Sequence, residues 1–264
     1  MMNKTAKTMP ALFISHGAPN LPTEDIPAKH FLAELGSTLN SPRAVLVVSA
    51  HFHSERVCVL SSEQPDTVHD FYGFAPELHA MQYPAPGDKS LALEIYSLLQ
   101  QAGMDVVLNE RRGLDHGAWV PLSIIYPKAD IPVVQVSINT HLTPEHHYRL
   151  GQILKPLRQS GVLIIGSGGA SHNLSELDLH SNTPPVWARE FIDWLHHAIL
   201  AKNIDALLDY RRLAPHAVRN HPTEEHLLPL FAVLGAMELD EQVERIHHSY
   251  IYGALNMDAY RISA

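Results

Sequence analysis

Three apolar runs along the chain end in histidine, and each has the length of a strand rather than of a helix. Residues 11–15 (ALFIS) lead into His16-Gly17-Ala18-Pro19, and residues 44–49 (AVLVVS) lead into Ala50-His51-Phe52-His53. Residues 162–165 (VLII) break into Gly166-Ser167-Gly168-Gly169, with His172 six residues after Gly166. Continuous branched apolar runs of this length suit strands covered on both faces. The glycines that follow offer backbone conformations closed to other residues. Each run delivers a titratable side chain at its C-terminal end, the edge at which open α/β sheets bind ligands.

Between these runs the period changes from strand to helix. Residues 27–39 place Phe31, Leu32 and Leu35 on one face, and residues 88–101 place Leu91, Ile95 and Leu98 so, with Asp88 as cap and Gly103 as stop. A further helix opens at Thr143-Pro144-Glu145, a hydroxyl cap followed by proline and an acid, buries Leu150, Ile153, Leu154 and Leu157, and ends at Gly161. The pattern predicts a short helix over 122–126 and helices over 183–202, 204–212 and 227–237. Thr223 is a cap for the last, which carries His226 in its first turn and Pro229 near its start. Strands are expected over 105–108 and 131–138, and again within 243–257 around a Gly253 turn. Alternation of this kind predicts an α/β fold of three layers, a mostly parallel central sheet flanked by helices, with a small C-terminal strand pair. No repeat or linker divides residues 1–264, so one domain is expected.

Two stretches escape these periods. Residues 1–10 read as a loose start, and residues 62–87 are rich in proline, glycine and aromatics. The second is long for a structureless loop in a packed domain and too aromatic for disorder, so an ordered covering loop is expected. Phe71, Tyr72, Phe74 and Tyr83 either wall a pocket or pin the loop to the core.

Composition narrows the function classes. The chain is 45% hydrophobic and 18% charged, enough to build a core, and its formal charge of −9 disfavours nucleic acid or an anionic membrane as partner. Cys58 is the single cysteine, so no internal disulfide forms. The first apolar run, 9–14, is interrupted by Pro10 and too short for a signal peptide or membrane span; a cytoplasmic protein is expected. Histidine stands out: there are 19, as many as Phe, Trp and Tyr together. Adjacent pairs such as His146-His147 point to different faces and are ordinary. His16, His51 and His226 could converge on one cation, with His172 as a fourth ligand or a base, and neutral imidazole suits Zn(II) and Fe(II). His53 shares a face with His51 and reads as a rim residue. Neither G-x-S-x-G, G-x-G-x-x-G nor a phosphate-loop GK[ST] is present.

Seven motifs in order carry a family resemblance: FISHGAP (13–19), VVSAHF (47–52), HDFYGF (69–74), YPAPG (83–87), DHGAW (115–119), GSGGASHNL (166–174) and EHLLPL (225–230). With them the chain resembles the LigB-like class III extradiol ring-cleavage dioxygenases, in the 4,5-DOPA extradiol dioxygenase branch, over nearly its whole length. The resemblance implies His16, His51 and His226 as metal ligands, His172 as acid/base beside the metal or a ligand itself, and His116 as a further active-site histidine touching substrate oxygen. It implies a catechol such as DOPA and O2 as substrates and Fe(II) as the metal, with ring cleavage beside the hydroxyls. His226 stands where better-known extradiol enzymes have a carboxylate, with Glu225 adjacent. Three neutral imidazoles also suit catalytic zinc, so a zinc hydrolase using the same cluster is the alternative, and a non-enzymatic binding protein on an inherited fold a third reading. Oligomeric state is left open.

Overall fold

Along the central strands, alternate side chains enter two different cores, as a sheet buried on both faces requires. In the computed structural model, which describes residues 8–264, the strands are β1 (Ala11–Ser15), β2 (Ala44–His53), β3 (Val57–Leu60), β4 (Val106–Asn109), β5 (Val133–Ile138), β6 (Val162–Gly168), β7 (Gln242–His247), β8 (Tyr250–Ile251), β9 (Leu255–Asn256) and β10 (Ala259–Ser263). The helices are α1 (Pro27–Thr38), α2 (Pro76–Ala80), α3 (Lys89–Gln101), α4 (His116–Ile125), α5 (Pro144–Leu154), α6 (Val186–Leu200), α7 (Ile204–Leu208), α8 (Tyr210–Leu213), α9 (Ala217–Asn220) and α10 (Leu228–Gly235). Residues 1–7 of the expected loose start lie outside the described residues.

One sheet of eight strands runs in the order β4-β3-β5-β2-β6-β1-β10-β7, and β8 pairs with β9 as the small separate strand pair. Its middle, β5-β2-β6-β1, is parallel; β3 meets β5 antiparallel, as does β10 with both β1 and β7. Phe13, Leu46, Val48 and Ile164 face one core with Ile95 of α3, Leu154 of α5, Phe191 of α6 and Phe231 of α10. Leu12, Val45, Val47 and Ile165 face the other with Leu32 of α1 and Trp119 of α4. This is the expected three-layer α/β arrangement. Because β1, β2 and β6 are parallel and in register (Ile14 beside Ser167, Ser49 beside Ser167), their C-terminal ends emerge on one edge. No helix among the described residues is long and apolar enough to cross a membrane.

Several local expectations change. The helix expected over 122–126 begins at His116, its pattern having been masked by Gly117 and Pro121 inside an almost wholly buried segment. Neither Thr143 nor Thr223 caps through its side chain: α5 starts at Pro144 without such a bond, α10 follows Leu227, and the Thr223 hydroxyl donates instead to Glu225. The helix expected over 183–202 starts at Val186, after Pro185. The one expected over 204–212 breaks at Asp209, where φ is −102° and ψ 28°. Asp88 caps α3 as expected, accepting from the Leu91 N–H at 2.8 Å. The strands β3 and β10 were not expected, and β10 is held by pairing on both sides.

Candidate metal centre and its cavity

Five histidines meet at the edge where β1, β2 and β6 end. His16 follows β1, its N–H bonded to the Gly168 carbonyl at 2.9 Å; His51 lies near the end of β2. His116 is the first residue of α4. His172 follows β6, its N–H on the Asn220 carbonyl at 2.9 Å, and His226 leads into α10, its carbonyl accepting the Gly169 N–H at 2.8 Å. The Nε2 atoms of His16 and His51 are 3.0 Å apart. The His226 ring centroid lies 5.4 Å from that of His16 and 5.0 Å from that of His51, and the His172 ring stacks on it at 3.4 Å, 10° from parallel. Two ligand sets with donor atoms within 4.8 Å of one another result: His16, His51 and His116, and His172, Glu225 and His226. They abut, so the expected ligands His16, His51 and His226 are drawn from both.

Hydrogen bonds decide which ring nitrogens carry protons. Pro121 has no N–H to bond the carbonyl four residues back; that carbonyl, of Gly117, accepts the Ser167 hydroxyl instead. With its proton committed, Ser167 Oγ accepts from His16 Nδ1 at 3.0 Å, which leaves the His16 Nε2 lone pair free. His226 Nδ1 donates to Glu225 Oε1 at 3.0 Å. His116 Nδ1 and its backbone N–H both donate to Asp70 Oδ1, at 2.9 and 3.0 Å. His16 and His226, both neutral by burial, therefore hold Nε2 as the unprotonated nitrogen, the form in which imidazole binds a metal. Burial, reinforced by the neighbouring histidines, pushes the pKa of His16 and His226 well below the ordinary value and that of His51 to about 3. Burial lowers that of His172 as well. These rings are neutral near pH 7, so a cation displaces no protons from them. The 3.0 Å between the His16 and His51 nitrogens also matches two ligands each about 2.0–2.1 Å from a shared ion. The donor set fits a divalent metal.

The glycine-rich turn serves close approach rather than backbone freedom. Gly166, Gly168 and Gly169 all keep ordinary φ, contrary to the expectation from sequence. A Cβ on Gly166 would lie 2.4 Å from the Pro229 carbonyl oxygen, and one on Gly168 only 2.0 Å from that of His226. Glycine is what lets the start of α10 press His226 against β6. Gly168→Ala is expected to destabilise the protein by about 1–3 kcal/mol, the usual range for overpacking, and to weaken metal binding by displacing His226. Thermal denaturation and metal titration check both; unchanged values would show that the His226 backbone can retreat freely.

The LigB family, described as "Catalytic LigB subunit of aromatic ring-opening dioxygenase", matches residues 10–260. The chain belongs to the LigB family. It is 40% identical over 256 residues to the 4,5-DOPA dioxygenase extradiol of Beta vulgaris, across 96% of both chains. To the 4,5-DOPA dioxygenase extradiol of Escherichia coli K12 it is 37% identical over 259 residues, covering 96% of this chain and 94% of that one. A crystal structure of an uncharacterized E. coli K12 protein superposes with a TM-score of 0.82 at 32% identity, across 97% of this chain and all of the other. These relationships favour ring opening over hydrolysis at the same histidines.

In this LigB chain His51, His116, His172 and His226 line a cavity of about 810 Å³, as does His53, while His16 is buried beside them and off the lining. The covering loop divides its aromatics between both expected roles. Phe71 and Phe74 line the cavity, their rings 5.5 Å apart. Tyr83 is buried and pins the loop, its hydroxyl donating to the Tyr126 carbonyl at 3.2 Å, while Tyr72 is 90% exposed and walls nothing. Sequence reasoning missed the partners of the histidines. Asp70 and Ser167 lie inside quoted motifs, HDFYGF and GSGGASHNL, and a carboxylate or hydroxyl within a histidine-bearing motif was the available signal. Burial opposes ionisation of Asp70, but the hydrogen bonds from the His116 ring and backbone N–H outweigh it and hold its carboxyl at about 2.

Proposed function

We propose that the protein cleaves the ring of a catechol such as DOPA in extradiol fashion, at a divalent metal held by His16, His51 and His226 with His172 beside it. The observation that carries this reading is the pair of Nε2 lone pairs on His16 and His226, oriented by Ser167 and Glu225, with His226 and the neighbouring His51 on the wall of a cavity large enough for an aromatic substrate. Bound there, Fe(II) supplies the electrons that let dioxygen react with a catechol, a capacity Zn(II) lacks. His172 faces the cavity from its stack on His226, and serves as the base for a catechol hydroxyl within reach of a positioned side chain. His116 presents Nε2 to the cavity with Nδ1–H on Asp70. It accepts a hydrogen bond from substrate oxygen, and the Asp70 carboxylate stabilises the imidazolium that forms when it takes a proton. Phe71 and Phe74 shield this wall from water. A reducing cytoplasm, which preserves Fe(II), suits this chemistry.

Ring opening incorporates both atoms of O2 and requires no external reductant. The Fe(II)-loaded protein is therefore expected to consume O2 and catechol one for one, with formation of a ring-opened semialdehyde, and the Zn(II)-loaded protein to consume neither. Anaerobic turnover of an ester or amide with zinc would overturn the reading in favour of hydrolysis. Stoichiometric metal without turnover of any catechol would leave a binding protein.

A further inference from the structure

Beyond the histidines, the cavity wall carries a side-chain pair whose hydrogen-bonding capacity is only partly used. Resting on the ring-opening reading, we infer that Asn20 and Tyr252 recognise an α-amino-acid substituent on the catechol. The Tyr252 hydroxyl donates to its carboxylate, and Asn20 Oδ1 accepts from its ammonium. Both residues line the cavity, which at about 810 Å³ leaves room beyond the ring.

The chemistry of the partners fixes the direction of each bond. Asn20 Nδ2 lies 2.8 Å from Glu24 Oε1 and 3.2 Å from the Tyr252 hydroxyl. A carboxylate accepts and does not donate, so the amide nitrogen of Asn20, not its oxygen, faces Glu24. An amide nitrogen donates and does not accept, so Tyr252 Oη receives its proton and keeps its own for another partner. Both Asn20 amide protons are then spent, while Oδ1 has no hydrogen bond among the described residues. One free donor beside one free acceptor complements an α-amino acid, which carries an anionic acceptor and a cationic donor on one carbon. Charge here favours the ammonium, because Glu24 is bonded to Asn20 and Glu225 lines the cavity. A carboxylate arriving alone would meet those charges uncompensated, so it is favoured when an ammonium accompanies it.

The backbone holds both side chains in place. Asn20 lies four residues after His16, in a turn that its carbonyl closes by accepting the Thr23 and Glu24 N–H groups at 2.9 and 3.2 Å. Tyr252 turns the chain between β8 and β9 with φ at 51°, a left-handed conformation that is rare for a bulky residue. Its carbonyl accepts from the Asp178 and Ala254 N–H groups at 2.9 and 2.8 Å, which keep it there. Glycine would turn this corner without strain. Tyrosine instead puts a phenol on the cavity wall, and strain of this kind clusters at ligand sites.

The test compares DOPA, dopamine, 3,4-dihydroxyphenylpropionate and 4-ethylcatechol, which carry both charged groups, the ammonium, the carboxylate and neither. Dissociation constants are read anaerobically on the Fe(II)-loaded protein and on Tyr252→Phe and Asn20→Asp, each checked for fold and metal content. DOPA is expected to bind the unsubstituted protein tightest of the four. Tyr252→Phe removes the donated proton. It is expected to weaken DOPA and dihydroxyphenylpropionate at least about ten-fold relative to dopamine and ethylcatechol, as loss of a hydrogen bond to a charged group does. Asn20→Asp reverses the bond to Tyr252, because aspartate takes the hydroxyl proton. Carboxylates then lose their donor while an ammonium gains a charged acceptor, so the preference for dopamine over dihydroxyphenylpropionate is expected to rise at least about ten-fold. DOPA binding no tighter than ethylcatechol, or an equal change across the four ligands in either variant, would overturn the assignment. Catechols that follow these ratios but are never opened in air would overturn the ring-opening reading alone, because the constants are read without turnover.

Discussion

Alanine at His16, His51 or His226 is expected to strip the metal and abolish ring opening while the fold persists. Loss of a partner that merely orients a metal-bound histidine typically weakens affinity about 10–100-fold; loss of a ligand itself should exceed that. The fold should survive because the three rings lie beyond the apolar side chains of the two cores, at the ends of β1 and β2 and just before α10. His16→Ala carries the largest local cost. It removes the Nδ1–H that buried Ser167 Oγ accepts, while the hydroxyl still donates to Gly117, a loss of about 0.5–1.5 kcal/mol for one hydrogen bond. Metal analysis alongside circular dichroism is the measurement. Full metal occupancy in any one variant would remove that residue from the ligand set, and the tight grouping of His16 and His51 with His116 makes His116→Ala the natural comparison.

His172→Gln is expected to retain most of the metal and lose about 10²–10⁴ in turnover, the usual contribution of a positioned acid or base. Its ring stacks face to face on His226, an arrangement in which the plane rather than a nitrogen meets the neighbouring ring. The backbone of residues 170–173 is anchored independently of that ring: the His172 N–H bonds Asn220, Asn173 Nδ2 donates to the Arg219 carbonyl at 2.6 Å, and the His221 ring meets the Ala170 carbonyl at 2.9 Å. Substitution should therefore remove the ring's chemistry without moving the loop. Turnover is measured at metal saturation. Recovery of the full rate on adding Fe(II) would make His172 a ligand and not a base; a slow, fully metallated enzyme would support the base.

The supporting interactions around these histidines were much less legible than the histidines themselves. His16 and His51 could be picked out because an apolar run stops at each, and β1 covers the residues its pattern predicted. Ser167 offered no such mark. Its role depends on Pro121 leaving the Gly117 carbonyl without a helical partner, 50 residues away in the chain, and no local pattern encodes that relation. The glycines of the central turn misled for a related reason: glycine in a sequence reports that a Cβ is excluded, and only the neighbouring chain shows whether torsion or crowding excludes it. Here the crowding comes from the His226 and Pro229 carbonyls.

From the sequence alone come the three-layer α/β class, the strands that end in histidine, the covering loop and the family. These depend on periodicity, turn chemistry and ordered motifs, all of which act over a few residues. Tertiary structure alone decided the strand order, with β10 inserted between β1 and β7, and which of the 19 histidines share one cavity. It also decided which nitrogen is free on His16 and His226 and where Asn20 meets Tyr252. Those features depend on the parallel register that brings the ends of β1, β2 and β6 to one edge, and on hydrogen bonds between residues far apart in the chain, where local propensity carries no information.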